Sequence, residues 1–241
     1  MRRVKLHLSR ELEAPAARMG GHLEPRYSPA SPSWGSLMLR RVLALCLAAG
    51  FALSAHAQDV SKDPARAPTG AYRLDVMHSQ VLFSIAHLGL TDYYGRFDKL
   101  SGTLNFDANE PEKSATSITI DTDSIDTPSG RLNDDLKSST VFDSSQFPSA
   151  AFKSTSIVRT GADTGRITGD LTIKGVTKQV VLDAIFRGGE SDPLNSNYVL
   201  GFHATAVVKR SDFGLTGMMW DSLVGNDVDL VIEALFEHEK E

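Results

Sequence analysis

The sequence predicts an all-β, antiparallel fold of about eight strands. Apolar and polar residues alternate in many short runs, as a strand with one buried face requires. Gly, Pro, Asn and Asp separate many of these runs, which is typical of hairpin and loop connections. No run alternates with a long amphipathic helix, and this argues against a parallel α/β sheet.

The clearest strand lies in residues 79–88. Val81, Phe83, Ile85 and His87 share one face of an extended chain there. The opposite face is also largely apolar, since it carries two leucines and an alanine. A sheet that is apolar on both faces needs cover on both, or it must enclose something apolar.

The other elements follow along the chain. The same alternation returns at residues 100–106, 118–120, 167–173, 180–186, 198–208 and 228–236. Residues 174–178 lie between two of these runs and indicate a tight hairpin. Only residues 128–140 have helical spacing, with Leu132 and Leu136 four positions apart, and Thr127-Pro128 resembles a helix cap and first turn.

The first 57 residues are expected to lie outside the fold. A basic start at 38–41 precedes an apolar run at 42–53, which is shorter than the roughly 20 residues that span a bilayer. The sequence Ala55-His56-Ala57 then has the small-x-small pattern of a signal-peptide cleavage site. We therefore expect export to the periplasm with cleavage after Ala57; a buried core helix is the alternative.

The chain is thus predicted to divide into four parts. Residues 1–37 are a mis-assigned start or a disordered extension, 38–57 a signal peptide, 58–70 a flexible lead-in and 71–238 one barrel domain. Cleavage would remove Cys46, the only cysteine, so the mature chain would have neither a disulfide nor a thiolate nucleophile.

Charge restricts the partners. Without residues 1–57 the chain carries 17 basic and 27 acidic residues, a formal net charge of −10. Nucleic-acid affinity comes mainly from neutralising phosphates, so a nucleic-acid partner is not expected. Electrostatic adhesion to anionic lipid head groups is disfavoured for the same reason.

The sequence offers little catalytic machinery. No G-x-S-x-G turn, phosphate-binding glycine loop or metal-ligand spacing occurs, so neither catalysis nor a metal site is predicted. His78, His87, His203 and His238 are the histidines of the predicted domain. His87 has two interpretations: a hydrogen-bonded histidine on an inward face, or a polar anchor for a ligand's head group in an apolar cavity.

Short motifs run in order from residue 72 to residue 234 and together resemble the YceI-like, polyisoprenoid-binding periplasmic proteins. The matching pieces are Tyr72-x-Leu74-Asp75-x-x-His78-Ser79, Phe83-x-Ile85-x-His87, Gly95-x-Phe97, Ser124-Ile125-Asp126-Thr127, Phe147-Pro148, Phe152-x-Ser154, Gly169-x-Leu171, Gly201-Phe202-x-Ala204, Arg210-Ser211-Asp212-Phe213-Gly214 and Val224-Gly225. Each piece is weak alone, but the ordered set is specific.

The resemblance implies a lipocalin-like, extended eight-stranded barrel whose interior holds an isoprenoid or similar amphiphilic chain, with a prenyl quinone as one candidate. It requires no other cofactor. The residues expected to contact the ligand are Phe83, Ile85, His87, Phe97, Leu104, Phe106, Phe152, Leu171 and Phe202. For each apolar member of this set, ordinary packing inside the barrel is the alternative.

Two other functions remain open at this point. One is an enzyme that acts on a lipid with His78 or His87 as the base. The other is a stress-response interaction module whose cavity is incidental. The apolar segment 214–220, with Met218, Met219 and Trp220, is either a lid at the barrel mouth or a homodimer contact.

Overall fold

The computed structural model describes residues 60–217 and 221–239, which contain eleven strands and one α-helix. The strands are β1 (Gly70–Leu74), β2 (Gln80–His87), β3 (Thr91–Phe97), β4 (Leu100–Phe106), β5 (Ala115–Asp121), β6 (Ile125–Asp126), β7 (Ser149–Arg159), β8 (Thr164–Ile173), β9 (Val176–Ser191), β10 (Tyr198–Lys209) and β11 (Val224–His238). The helix is α1 (Gly130–Lys137).

Eight of the strands close into an antiparallel barrel. Their order around the ring is β1-β4-β5-β7-β8-β9-β10-β11, and β11 returns to pair with β1. The closing register joins Leu74 to Phe236 and Tyr72 to His238. The predicted all-β, eight-stranded antiparallel barrel is therefore confirmed.

The three remaining strands extend the barrel along β11. The first half of β11 pairs with β2, which pairs with β3, which in turn pairs with β6. The short link from β1 to β2 follows β11 closely: the Asp75 N–H donates to the Leu235 carbonyl at 2.8 Å. The Leu235 N–H then donates to Ser79 Oγ at 3.0 Å. Because β1 and β2 both lie along β11, the barrel is longer than its eight-stranded ring alone.

The helix lies within the predicted interval, but its start differs from the expected one. Ser129 is the N-cap, and its Oγ accepts a hydrogen bond from the Leu132 N–H at 3.3 Å. Thr127, which the sequence suggested as the cap, instead donates from Oγ1 to the Ser129 carbonyl at 3.1 Å. The predicted hairpin at 174–178 is present, since Ile173 pairs with Val176 across two residues with positive φ.

The segment before β1 contacts the barrel. Ser61 exchanges backbone hydrogen bonds with Gly189 at 2.9 and 2.8 Å, and Ala67 is buried in the core beside Tyr72. The Tyr72 hydroxyl donates to the Pro68 carbonyl at 2.6 Å, and burial raises the pKa of this phenol. Ser61, Ala67 and Pro68 of the expected lead-in therefore contact the barrel.

Three predictions concern residues outside this description. The signal peptide, the cleavage after Ala57, and the lid or dimer contact at Met218–Trp220 all fall outside residues 60–217 and 221–239. Within those residues, none of the helices is long and apolar enough to cross a membrane.

Candidate functional site

The barrel interior contains two adjoining cavities with almost wholly apolar linings. The small cavity has a volume of about 210 Å³ and lies within the eight-stranded ring. The large cavity has a volume of about 440 Å³ and lies between β2, β3, α1 and the first half of β11. Val81, Leu171 and Leu230 line both cavities, so the two apolar cavities adjoin along the barrel.

The structure places all nine residues expected to contact a ligand on these walls. Phe83, Ile85, His87 and Phe97 line the large cavity. Leu104, Phe106, Phe152 and Phe202 line the small cavity, and Leu171 lines both. The expected ligand contacts are thus divided between the two cavities, and Leu171 belongs to both groups.

Two phenylalanines lie over glycines of neighbouring strands. A Cβ at Gly95 would be 2.3 Å from the Phe83 ring, and a Cβ at Gly169 would be 2.4 Å from the Phe152 ring. Such distances leave no room for any side chain at these two positions. The glycines let both rings lie along the barrel wall, and this helps to keep the interior open.

The large cavity has a polar end near the β2–β3 turn. His87 pairs with Thr91 across this turn, and Tyr93 follows on the same face of β3. The imidazole of His87 and the hydroxyl of Tyr93 make no side-chain hydrogen bond to the described residues. They can therefore donate to or accept from a polar group placed in the cavity.

Arg210 closes another part of the large cavity. Its Nε donates to the Gly225 carbonyl at 2.9 Å, and its Nη1 donates to the Leu215 carbonyl at 2.9 Å and to Asp221 Oδ1 at 2.7 Å. Nη2 donates to the Asp221 carbonyl at 3.2 Å, and Asp221 also accepts from the Gly217 N–H. Arg210 therefore pairs with an acid and also lines the large cavity.

No group of three or more His, Cys, Asp or Glu side chains within residues 60–217 and 221–239 is arranged to hold a metal ion. His203 lies 2.7 Å from Glu233, and the His238 ring packs edge-on against Tyr72 at 4.7 Å between centroids. His78 lines neither cavity; its Nδ1 lies 2.6 Å from Asp75 Oδ2 on the exposed β1–β2 link. Of the four histidines, only His87 lines either cavity.

The pair of His78 and Asp75 shifts both pKa values. The hydrogen bond to Asp75 and its negative charge raise the pKa of His78. Burial raises the pKa of Asp75, but hydrogen bonds from His78 and from the Met77 N–H, with the positive charge of His78, outweigh it and lower the pKa. A raised pKa keeps more of His78 protonated near neutral pH, which disfavours it as a general base.

We expect the stability that this pair contributes to decrease both at high pH and at low pH. The His78 contribution is fully present below its unfolded-state pKa and is lost as the pH rises through the raised folded-state pKa. The Asp75 contribution is present above its unfolded-state pKa and is lost as the pH falls through the lowered folded-state pKa. An NMR titration should show His78 titrating at lower pH in the Asp75→Asn variant; an unchanged titration would contradict the pairing.

Comparison with known proteins gives consistent matches across the domain. A family model described as the YceI-like domain matches residues 72–236. A UPF0312 protein from Pseudomonas savastanoi pv. phaseolicola is 36% identical over 182 residues, which cover 75% of this chain and 90% of that protein.

Solved structures share the architecture. Burkholderia cenocepacia BcnA superposes with a TM-score of 0.61 at 25% identity, covering 67% of this chain and 98% of BcnA. A polyisoprenoid binding domain from Saccharophagus degradans, implicated in plant cell wall breakdown, has a TM-score of 0.54 at 16% identity and covers 70% of this chain and 98% of that domain. At this identity the second likeness shows the fold alone.

Proposed function

Because the chain belongs to the YceI-like family, we propose that it is a non-catalytic periplasmic protein that carries or sequesters an isoprenoid-type amphiphilic lipid inside its barrel. The observation that carries the proposal is the pair of adjoining apolar cavities of about 210 and 440 Å³. Pockets of a few hundred Å³ with few polar groups are typical of small-molecule sites. The Saccharophagus degradans domain, described as polyisoprenoid binding, supports the choice of ligand class.

The dimensions suit a long tail. Inward-facing residues of β11 from Val228 to Phe236 line the interior, a distance of about 27 Å at roughly 3.4 Å per residue. Burying each methylene of a tail contributes about 0.8 kcal/mol, so an extended chain needs few polar contacts to be held. The apolar residues expected to contact the ligand would supply most of this contact.

The polar end supports a neutral head group. Arg210 is the only Lys or Arg in the described lining of the large cavity, and its donors already serve Asp221 and two carbonyls. A phosphate would therefore find no free cation there, whereas a carbonyl or hydroxyl can bond to His87 and Tyr93. This favours a prenyl quinone or a prenyl alcohol, with His87 as its polar anchor.

The same proposal covers the rest of the chain. Residues 71–238 would form the lipid-binding barrel, preceded by the lead-in at 58–70. Residues 38–57 would be the signal peptide that directs export, with the stretch 1–37 upstream of it a mis-assigned start or a disordered extension.

Native mass spectrometry of the purified protein, followed by organic extraction, tests the proposal. A stoichiometric adduct that extracts as a prenyl lipid is the expected result. A bare mass that persists after incubation with ubiquinone-8 and with a polyprenol would reject it and favour the interaction module. Turnover of the bound lipid that is lost in His87→Gln while binding is kept would favour the enzyme instead.

The head group contact makes a separate prediction. We expect Tyr93→Phe to weaken binding of ubiquinone-8 by about three- to tenfold, because one hydrogen bond contributes roughly 0.5–1.5 kcal/mol. Tyr94→Phe is the matched control, since Tyr94 is the next residue and is 63% exposed on the outer face. Fluorescence titration of both variants measures the effect; equal affinities would place the head group elsewhere.

A further inference from the structure

We propose that the β2–β3 turn docks the protein on a lipid bilayer by inserting leucine side chains into the membrane surface. Leu88 and Leu90 in this turn are 55% and 81% exposed, and Leu223 is 41% exposed. The Leu88 N–H donates to the Leu223 carbonyl at 2.7 Å, so the two turns are neighbours. Together these three residues form one exposed apolar patch, the leucine tip.

The leucine tip lies beside the large cavity. Among the described residues that line this cavity, only Thr91 and Leu223 are exposed, and we infer that the cavity opens between the two turns. His87, at the other end of the β2–β3 turn, lines the cavity just inside. A lipid that leaves a bilayer at the leucine tip would pass into the cavity without crossing water, which strongly disfavours an exposed apolar tail.

The backbone of the turn makes its apolar side chains unusual. Leu88 has φ 55° and Gly89 has φ 67°, in the left-handed region. Gly, Asn and Asp adopt this region with least strain, and they are also the residues that suit a solvated hairpin turn. A leucine here strains the backbone and exposes an apolar side chain to water. A membrane surface that removes the side chain from water would offset the cost of this exposure.

The charges around the leucine tip indicate how it would meet the membrane. Residues 84–95 contain no Lys or Arg, and their only ionisable side chains besides the tyrosines are His87 and Asp92. Docking would therefore depend on apolar insertion, with no basic cluster to bind anionic phosphates. A second copy of the chain is a poorer occupant, because three leucine side chains fall far short of the roughly 800 Å² per partner of a stable interface.

Flotation with phosphatidylcholine vesicles tests this inference without requiring any bound cargo. The purified protein should float with the vesicles, and the double variant L88N/L90S should lower its partition coefficient by at least about tenfold. Asn suits the positive φ at position 88, so the variant should fold. The control is Leu194→Ser: Leu194 is 94% exposed and lies between β9 and β10, and the start of β10 pairs with the opposite end of β11.

The outcomes separate this inference from the proposed lipid binding. Docking is overturned if the parent protein does not float, if Leu194→Ser weakens flotation as much as the double variant, or if analytical ultracentrifugation shows a dimer that the double variant abolishes. If L88N/L90S no longer floats but native mass spectrometry still shows a bound prenyl lipid, the result supports both the docking surface and the proposed lipid binding. If the parent protein floats but binds no prenyl lipid, the result supports the docking surface and contradicts the proposed lipid binding.

Discussion

Arg210→Met should lower the free energy of unfolding by about 3 kcal/mol. The Arg210 side chain is 10% exposed and its partner Asp221 is 28% exposed, so the pair lies largely away from water. Methionine keeps much of the volume but removes the Arg210 donors that bond to Asp221 and to the carbonyls of Leu215 and Gly225. Removing one partner of a buried pair leaves the other charge uncompensated, which typically lowers stability by about 3–5 kcal/mol.

Lys209→Met is the matched control. Lys209 is the preceding residue and pairs with Asp227 at 2.6 Å, but both side chains are more than half exposed. An exposed pair contributes about 0–1 kcal/mol, so this variant should be close to the parent in stability. Urea unfolding of the three proteins measures the difference, and equal losses for Arg210→Met and Lys209→Met would show that the buried pair has no special role.

Arg210 also connects the stability of the fold to the shape of the site. Its bonds hold Leu215, Asp221 and Gly225 against the end of β10, beside the wall of the large cavity. A less stable Arg210→Met variant should therefore also bind lipid more weakly. The motif Arg210–Gly214 was visible in the sequence, but its partner was not, because the chain between Arg210 and Asp221 has no regular pattern.

Where the alternation is unbroken, the sequence predicted the strands, and where it is broken they were missed. In β7 the register shifts between Ser154 and Ser156, so the inward Phe152 and Ile157 fall at positions of opposite parity. In β3 the inward position 95 is a glycine, because the Phe83 ring occupies the space that its side chain would fill. A bulge and a close ring contact are tertiary effects, and a period of two cannot reveal them.

Because β3 was not predicted as a strand, two residues of the large cavity were also missed. Thr91 and Tyr93 lie in β3, which the alternation did not reveal as a strand; of its residues only Phe97 was expected at the ligand, and that came from the family resemblance. His87 was identified because β2 alternates regularly, although the two interpretations of its role could not be separated from sequence. His87 lines the large cavity and makes no side-chain hydrogen bond to the described residues, and on this basis we propose it as the polar anchor.

Ala184→Phe should abolish tail binding while leaving the barrel folded. Ala184 is buried on the inner face of β9, lines the small cavity and pairs with Ala204, another small inward residue. A phenyl ring there would take up much of the space of about 210 Å³. Displacing even four methylene groups of a tail would weaken binding by about 3 kcal/mol, which is more than a hundredfold in affinity.

The control for this substitution lies on the same strand. Val181 is 46% exposed on the outer face of β9, so Val181→Phe adds a ring without entering the cavity. Both variants should unfold within about 1 kcal/mol of the parent, because filling a cavity adds contacts that offset local strain. Titration with ubiquinone-8 measures the affinity of each variant. A loss of affinity confined to Ala184→Phe would place the tail in the small cavity. Unchanged affinity in Ala184→Phe would exclude the eight-stranded ring as the place where the tail binds.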